Sequence, residues 1–165
     1  MKKYALTMGF GLFLLSCSEH KPIVFSNDLE PHNWTNLVTI KNRPNAHSGA
    51  TVSISDSTNP YSLCFNSHLA ELGENVHAIT YSYWVMVKNP EINVVSVFSI
   101  EKAGKCLHWQ GPEEGVKLKV LNQWVQVVET FEIPKGTEPD AEIKLYALNK
   151  SKDEVLYDDF EVKVN

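Results

Sequence analysis

The side chains whose spacing best suits them to chemistry are two adjacent carboxylates, Asp158-Asp159, an indole at Trp109 between His108 and Gln110, and a phenol at Tyr146. Neighbouring strand residues point to opposite faces, so only one of the two aspartates faces inward. Asp158 shares parity with Phe160 and Val162, which predicts that it is the inward one, and a carboxylate there needs a partner because an unpaired buried charge is costly. Trp109 stands just before the turn signal Gly111-Pro112, so its ring is expected at a strand end, either exposed or filling the gap between sheets. Tyr146 has the parity opposite to Ile143 and Leu145 and is expected on the open face of its sheet, with Gln126 on the matching face of another strand. Tyr83 and Trp84 take opposite faces of one strand, and parity alone does not say which points outward.

Signatures of catalysis are missing. There is no H-E-x-x-H, no G-x-S-x-G around a serine and no glycine-rich phosphate loop. His20, His32, His47, His68, His77 and His108 are scattered, and His47-Ser48-Gly49 reads as a tight turn. Twenty acids would supply many carboxylate pairs, but sequence does not fix their separation, on which glycoside cleavage depends. The chain reads as a protein that is not an enzyme.

Ahead of these residues, Lys2 and Lys3 precede an apolar run, Ala5 to Leu15, that is too short to cross a bilayer, and Ser16 stands before Cys17. This start resembles a bacterial lipoprotein precursor. The resemblance implies that residues 1–16 are a cleaved signal peptide, that Cys17 becomes an acylated N-terminus carrying palmitate-type chains, and that residues 17–22 form a polar tether. Each buried methylene adds about 0.8 kcal/mol of membrane affinity, so several chains hold firmly. Ser18, where related lipoproteins retained at the inner membrane carry Asp, implies an outer-membrane address, lipid-anchored, with the periplasmic or cell-surface side open. With Cys17 assigned to lipid, Cys64 and Cys106 remain in an exported protein. They form either a disulfide, closing a loop of about 42 residues and contributing about 4 kcal/mol, or two buried free thiols.

The formal charge of −5 becomes more negative by two when Lys2 and Lys3 leave, and Arg43 is the one arginine. Nucleic acid, which demands clustered Lys and Arg, is therefore excluded as a partner. Residues 23–165 are of a size for one domain.

These residues must be positioned by strands. Short runs rich in β-branched and aromatic residues alternate with turn signals at Asn45 to Gly49, Asn59-Pro60, Asn89-Pro90, Gly111-Pro112 and Pro134 to Gly136. Val116, Leu118 and Val120 alternate with lysines; Val125, Val127, Phe131 and Ile133 share one parity; Tyr81 to Val87 is continuously apolar and reads as a central strand covered on both sides. Leu69 to Gly73 reads as one helical turn. The pattern predicts an all-β chain of two packed antiparallel sheets.

Five segments, in order, strengthen this. Asn27-Asp28-Leu29-Glu30 followed by Trp34, His47-Ser48-Gly49-Ala50, Tyr81 to Lys88, Trp124-Val125-Gln126-Val127, and Tyr157-Asp158-Asp159-Phe160-Glu161-Val162 resemble the galactose-binding-like jelly-roll carbohydrate-binding modules of the CenC type. The resemblance implies a jelly-roll sandwich over residues 23–165, with Trp34 and Trp124 as structural tryptophans. It implies that a glycan or polysaccharide is held by aromatic rings against pyranose C–H faces, with amides and carboxyls on the hydroxyls. The ligand-binding candidates are then Trp109, Tyr146, Trp84, Gln126 and His108. It also implies a structural calcium, with Asp158, Glu30 and Asp28 and the carbonyls of Ser48 and Gly49 as ligands, or, for Asp158, a lysine or backbone N–H partner instead. The expected function is a lipid-anchored, non-catalytic carbohydrate-binding protein of the bacterial envelope. The alternative is a structural or accessory envelope lipoprotein that uses the same sandwich to dock a protein partner.

Overall fold

The structure is a computed structural model that describes residues 22–30, 39–113 and 115–165. The leader, Cys17, residues 17–21 of the tether and Trp34 lie outside the described residues. Eleven strands are described: β1 (Ile23–Asn27), β2 (Ile40–Asn42), β3 (Thr51–Ser55), β4 (Phe65–His68), β5 (Ala78–Val87), β6 (Asn93–Lys102), β7 (Lys105–Gln110), β8 (Val116–Lys117), β9 (Val125–Glu132), β10 (Glu142–Asn149) and β11 (Val155–Val164). A one-turn 3-10 helix at Leu69–Leu72 sits where a helical turn was expected, and no α-helix occurs among the described residues.

The strands form two antiparallel sheets. One has the order β2-β3-β11-β5-β9, with β1 paired to the far half of β11; the other is β4-β10-β6-β7, with β8 paired to the start of β6. Inward residues alternate along each strand as the pleat requires. Ile79, Tyr81, Tyr83, Val85 and Val87 of β5, with Phe131 of the neighbouring β9, face Ile143, Leu145 and Ala147 of β10 and Val94, Phe98 and Ile100 of β6, all in one buried cluster. Phe98 and Phe131 stack at 5.4 Å across the two sheets. Two phenols in this core are partnered by serines, Tyr83 with Ser96 at 2.9 Å and Tyr157 with Ser55 at 3.0 Å, whereas the buried Tyr81 hydroxyl has no hydrogen-bond partner. Burial pushes both partnered phenols above the usual tyrosine range.

The expected all-β, two-sheet antiparallel sandwich is therefore the observed fold. Two local expectations are corrected and one open choice, between a disulfide and two free thiols, is decided. Along Val116 to Val120 only two residues pair, and Val120 is exposed, because β8 leaves β6 at once. Cys64 and Cys106 are free. Cys64 immediately precedes β4 and Cys106 lies in β7, the opposite edges of one sheet with β10 and β6 between them. Three strand spacings amount to about 14 Å, whereas a disulfide needs Cα atoms within about 7 Å. Asp158 does not face the main core. A bulge in β11 between Asp158 and Glu161, with Asp159 at φ 45°, resets the alternation, so Asp158 pairs with Trp84 on the outer face of the six-stranded sheet.

Candidate functional site

The outer face of the five-stranded sheet collects the rings that sequence could only scatter. β10 turns Tyr146 outward between the inward Leu145 and Ala147, and β7 turns Trp109 outward opposite Ser99 of β6. Tyr61 joins them: an isolated bridge to Leu148 holds it against β10, and its ring meets that of Tyr146 edge-on at 5.7 Å and 76°. Burial lifts the Tyr146 phenol above its usual range, and the neighbouring Trp109 indole opposes that shift. Val95 and Val97 of β6, on this same outward parity, are fully buried and form the floor. Tyr61 and Trp109 are each 48% exposed, a large apolar area for solvent to meet without a partner.

A polar row borders the rings. Asn66, Lys144, Ser99 and Trp109 stand side by side across β4, β10, β6 and β7. The Lys144 ammonium pairs with Glu101 at 2.5 Å and with Glu142 at 3.5 Å, and these carboxylates raise its pKa. The Ser99 hydroxyl is buried without a hydrogen-bond partner. Cys64 lies close enough to this ion pair to feel both charges, but burial dominates and pushes its thiol up to about 11, so it is not a reactive thiolate. Chemically, the face offers apolar ring planes beside fixed donors and acceptors, the combination that holds a polyhydroxylated ring.

Of the five expected ligand-binding residues, the structure brings together two, Trp109 and Tyr146. His108 alternates inward, its ring edge-on to Phe98 at 5.7 Å. Trp84 and Gln126 pair with each other on the outer face of the other sheet. Trp84 is therefore the outward member of the Tyr83-Trp84 pair, but it is covered: the His47 ring stacks on it at 4.0 Å and 17°. Tyr61 and the Lys144–Glu101 pair were not foreseen. Tyr61 follows the Asn59-Pro60 turn in no periodic run, so its partner across the sheet left no local signal.

The segment Arg43–Ala50 folds over that second outer face and is held by acids. Asp158 Oδ2 accepts the backbone N–H of His47 at 2.8 Å and of Ser48 at 3.2 Å, and Oδ1 accepts that of Asp159 at 2.8 Å. Asp159 accepts from His47 Nδ1 at 2.5 Å and from Ser48 Oγ at 2.6 Å. Glu30 Oε1 accepts the N–H groups of Ala50 and Thr51 at 2.7 and 2.9 Å, and Asp28 accepts that of Glu30 at 3.1 Å. A Cβ on Gly49 would lie 2.4 Å from Glu30 Oε1, and its φ of 53° independently favours glycine. Trp124 closes the cover, donating to the Asn45 carbonyl at 3.0 Å and packing on the Val52, Ile54, Met86 and Leu156 cluster. This donor set does not fit calcium. The cation needs converging oxygen acceptors, whereas here N–H and hydroxyl donors converge on the carboxylates, and no cluster of three or more His, Cys, Asp or Glu among the described residues could hold a metal. The partner of Asp158 is backbone N–H. Its burial, against these three donors, holds the carboxyl up at about 6.

No protein-family model matches the chain, and no curated protein matches it significantly in sequence. Solved structures do match in shape. The CBM22-1 xylan-binding domain of Paenibacillus barcinonensis Xyn10C aligns with TM-score 0.55 at 15% identity, over 87% of this chain and 95% of its own. The CBM22-2 xylan-binding domain of the same protein aligns with TM-score 0.54 at 13% identity, over 86% and 99%. A chain of infectious bursal disease virus Gt strain aligns with TM-score 0.52 at 10% identity, over 97% of this chain and 37% of its own. At these identities the shared property is architecture, and proteins as different as these three possess it. The chain has the jelly-roll sandwich fold of the two xylan-binding domains, over nearly its whole described length.

Proposed function

We propose that this protein is a non-catalytic carbohydrate-binding protein that holds a glycan on the outer face of its five-stranded sheet, and that acylation of Cys17 anchors it in the outer membrane of the bacterial envelope. The observation that carries the binding reading is the gathering of Tyr61, Tyr146 and Trp109 over the buried Val95–Val97 floor, beside the Lys144–Glu101 pair. Two half-exposed rings flanked by charged and amide groups suit a sugar better than a flat apolar patch, the surface that the accessory docking alternative requires. The xylan-binding domains with the same fold support a polysaccharide as the ligand class. Such open faces bind weakly, with affinities between millimolar and micromolar, about −4 to −8 kcal/mol.

A glycan array followed by titration calorimetry tests the binding reading. Saturable binding to a soluble polysaccharide, abolished by Trp109→Ala, is the expected result. An intact fold that binds no glycan transfers the function to the docking alternative. The anchor is tested separately: labelled palmitate is expected in the wild-type protein and absent from Cys17→Ser, with the variant released from the membrane fraction.

A further inference from the structure

Gly111 follows β7 two residues after Trp109, on the same face of the chain, and its backbone does not require glycine: it is absent from the glycines with positive φ. A Cβ placed there would lie 2.9 Å from Trp109 Cη2, 3.2 Å from Trp109 Cζ2 and 3.0 Å from Val95 Cγ1. Real Cβ atoms do not approach that closely, so what glycine supplies here is room. We propose that Gly111 is a positioning residue for the binding face: its missing side chain is the seat that lets the Trp109 indole lie down along its own strand against Val95, on the face that also carries Tyr146. The inference rests on the reading of this face as a glycan platform but is measured independently of it.

The physical consequences follow from which neighbour can yield. Val95 is fully buried and held between strands, whereas Trp109 is half-exposed and free on its solvent side. An alanine at Gly111 therefore displaces the indole rather than the sheet. The lifted ring leaves its place against Val95 and no longer extends the plane offered by the tyrosines. A platform works by being in place before the ligand arrives, and a mobile ring must be ordered on binding, at a cost in affinity. The clash with Trp109 involves only the far atoms of the six-membered part of the indole, which phenylalanine at position 109 lacks, and the 3.0 Å approach to Val95 Cγ1 is the one that remains. Seat and ring are thus predicted to be coupled, and the coupling to vanish with the smaller ring.

The experiment uses the full chain, Gly111→Ala, Trp109→Phe and the double variant, with soluble xylan as the probe. Trp109 emission is isolated as the difference between each protein and its Trp109→Phe counterpart. Gly111→Ala is expected to shift that emission to the red and raise its quenching by acrylamide, and to weaken xylan binding about tenfold, equivalent to about 1.4 kcal/mol, with the melting temperature unchanged. In the Trp109→Phe background the same glycine substitution is expected to change neither affinity nor stability. Unchanged emission in Gly111→Ala, or an equal loss of affinity in the Trp109→Phe background, overturns the proposal. If no protein in the set binds xylan while the emission shift appears, the seat stands and it is the glycan reading that fails.

Discussion

At the scale of single residues, the face is built so that its binding groups are not its folding groups. Trp109 and Tyr61 are half-exposed, while the residues beneath them, Val95 and Val97, carry the packing. Trp109→Ala and Tyr61→Ala are each expected to weaken glycan binding about tenfold or more, since aromatic contacts contribute beyond their buried area. Each is expected to change unfolding free energy by no more than about 0.5 kcal/mol, as surface substitutions usually do. Calorimetric titration and chemical denaturation of the same preparations check both halves; a variant that lost stability in step with affinity would make the rings structural. The cysteines give a second residue-scale test. Cys106 is exposed and Cys64 partly buried with its thiol pushed up to about 11. A thiol reagent at neutral pH is therefore expected to modify Cys106 rapidly and Cys64 only after unfolding, because the thiolate is the reacting form. Failure of both to react in the native protein without reductant, with release of two thiols on reduction, would restore the disulfide.

Among the elements, the acid-held segment Arg43–Ala50 behaves as a strap across β11 and β5, and its donors decide two predictions. Hydrogen-bond donors converge on Asp158 and Glu30, backbone N–H groups on both and the Thr51 hydroxyl on Glu30, so the melting temperature is expected to be the same in calcium as in chelator. A rise in calcium would show that the strap turns its carbonyls toward a cation. Asp158 also sets a pH dependence of unusual sign. Burial raises its folded pKa to about 6, above its unfolded value near 3.8. The folded state therefore binds the extra proton, and this contribution to stability is complete below the unfolded value and lost as pH rises through the folded one. Over that window the loss amounts to at most about 3 kcal/mol, at 1.36 kcal/mol per unit. Denaturation curves between pH 4 and 7 are expected to show wild type losing stability relative to Asp158→Asn; equal slopes would refute the raised pKa. The parity that sequence assigned to Asp158 failed at this element for a definite reason. Alternation is readable from Val155 to Asp158 and again from Phe160 to Val164, but the bulge at Asp159 lies between the two runs, and a single residue in a left-handed conformation leaves no periodic trace. Ile143, Leu145 and Ala147, by contrast, have no bulge among them, and the strand, its buried face and the outward Tyr146 all follow from the sequence. For Trp109 the Gly111-Pro112 turn marked the strand end but left open whether the ring was exposed or filled the gap between sheets, and the structure places it on the outer face. The place of Tyr61 left no such mark, since its ring contact with Tyr146 spans about half of the chain and is set by an isolated bridge to Leu148.

For the whole molecule, the order of strands along the chain determines which ends can be cut. β11 is the last strand in sequence and central in space, bonded to β3 and β1 on one side and to β5 on the other. Its inward Val155, Tyr157, Phe160 and Val162 are at most 1% exposed and join the core shared by both sheets. Removing Val155–Val164 deletes those side chains and strips β1, β3 and β5 of hydrogen-bond partners, a loss far larger than the stability of a typical domain. That truncation is expected to yield an unfolded chain by circular dichroism. The opposite end differs: β1 begins at Ile23 and pairs only with β11, and the binding face on β4, β10, β6 and β7 lies on the other sheet. A chain starting at Pro22 is therefore expected to keep both its melting temperature and its affinity for glycan while losing membrane attachment. In that case the sandwich and the anchor are separable, and the site works wherever the domain is held. A truncated chain that folds but no longer binds would mean that the leading segment itself contributes to the ligand face, and the site would have to be redrawn to include it.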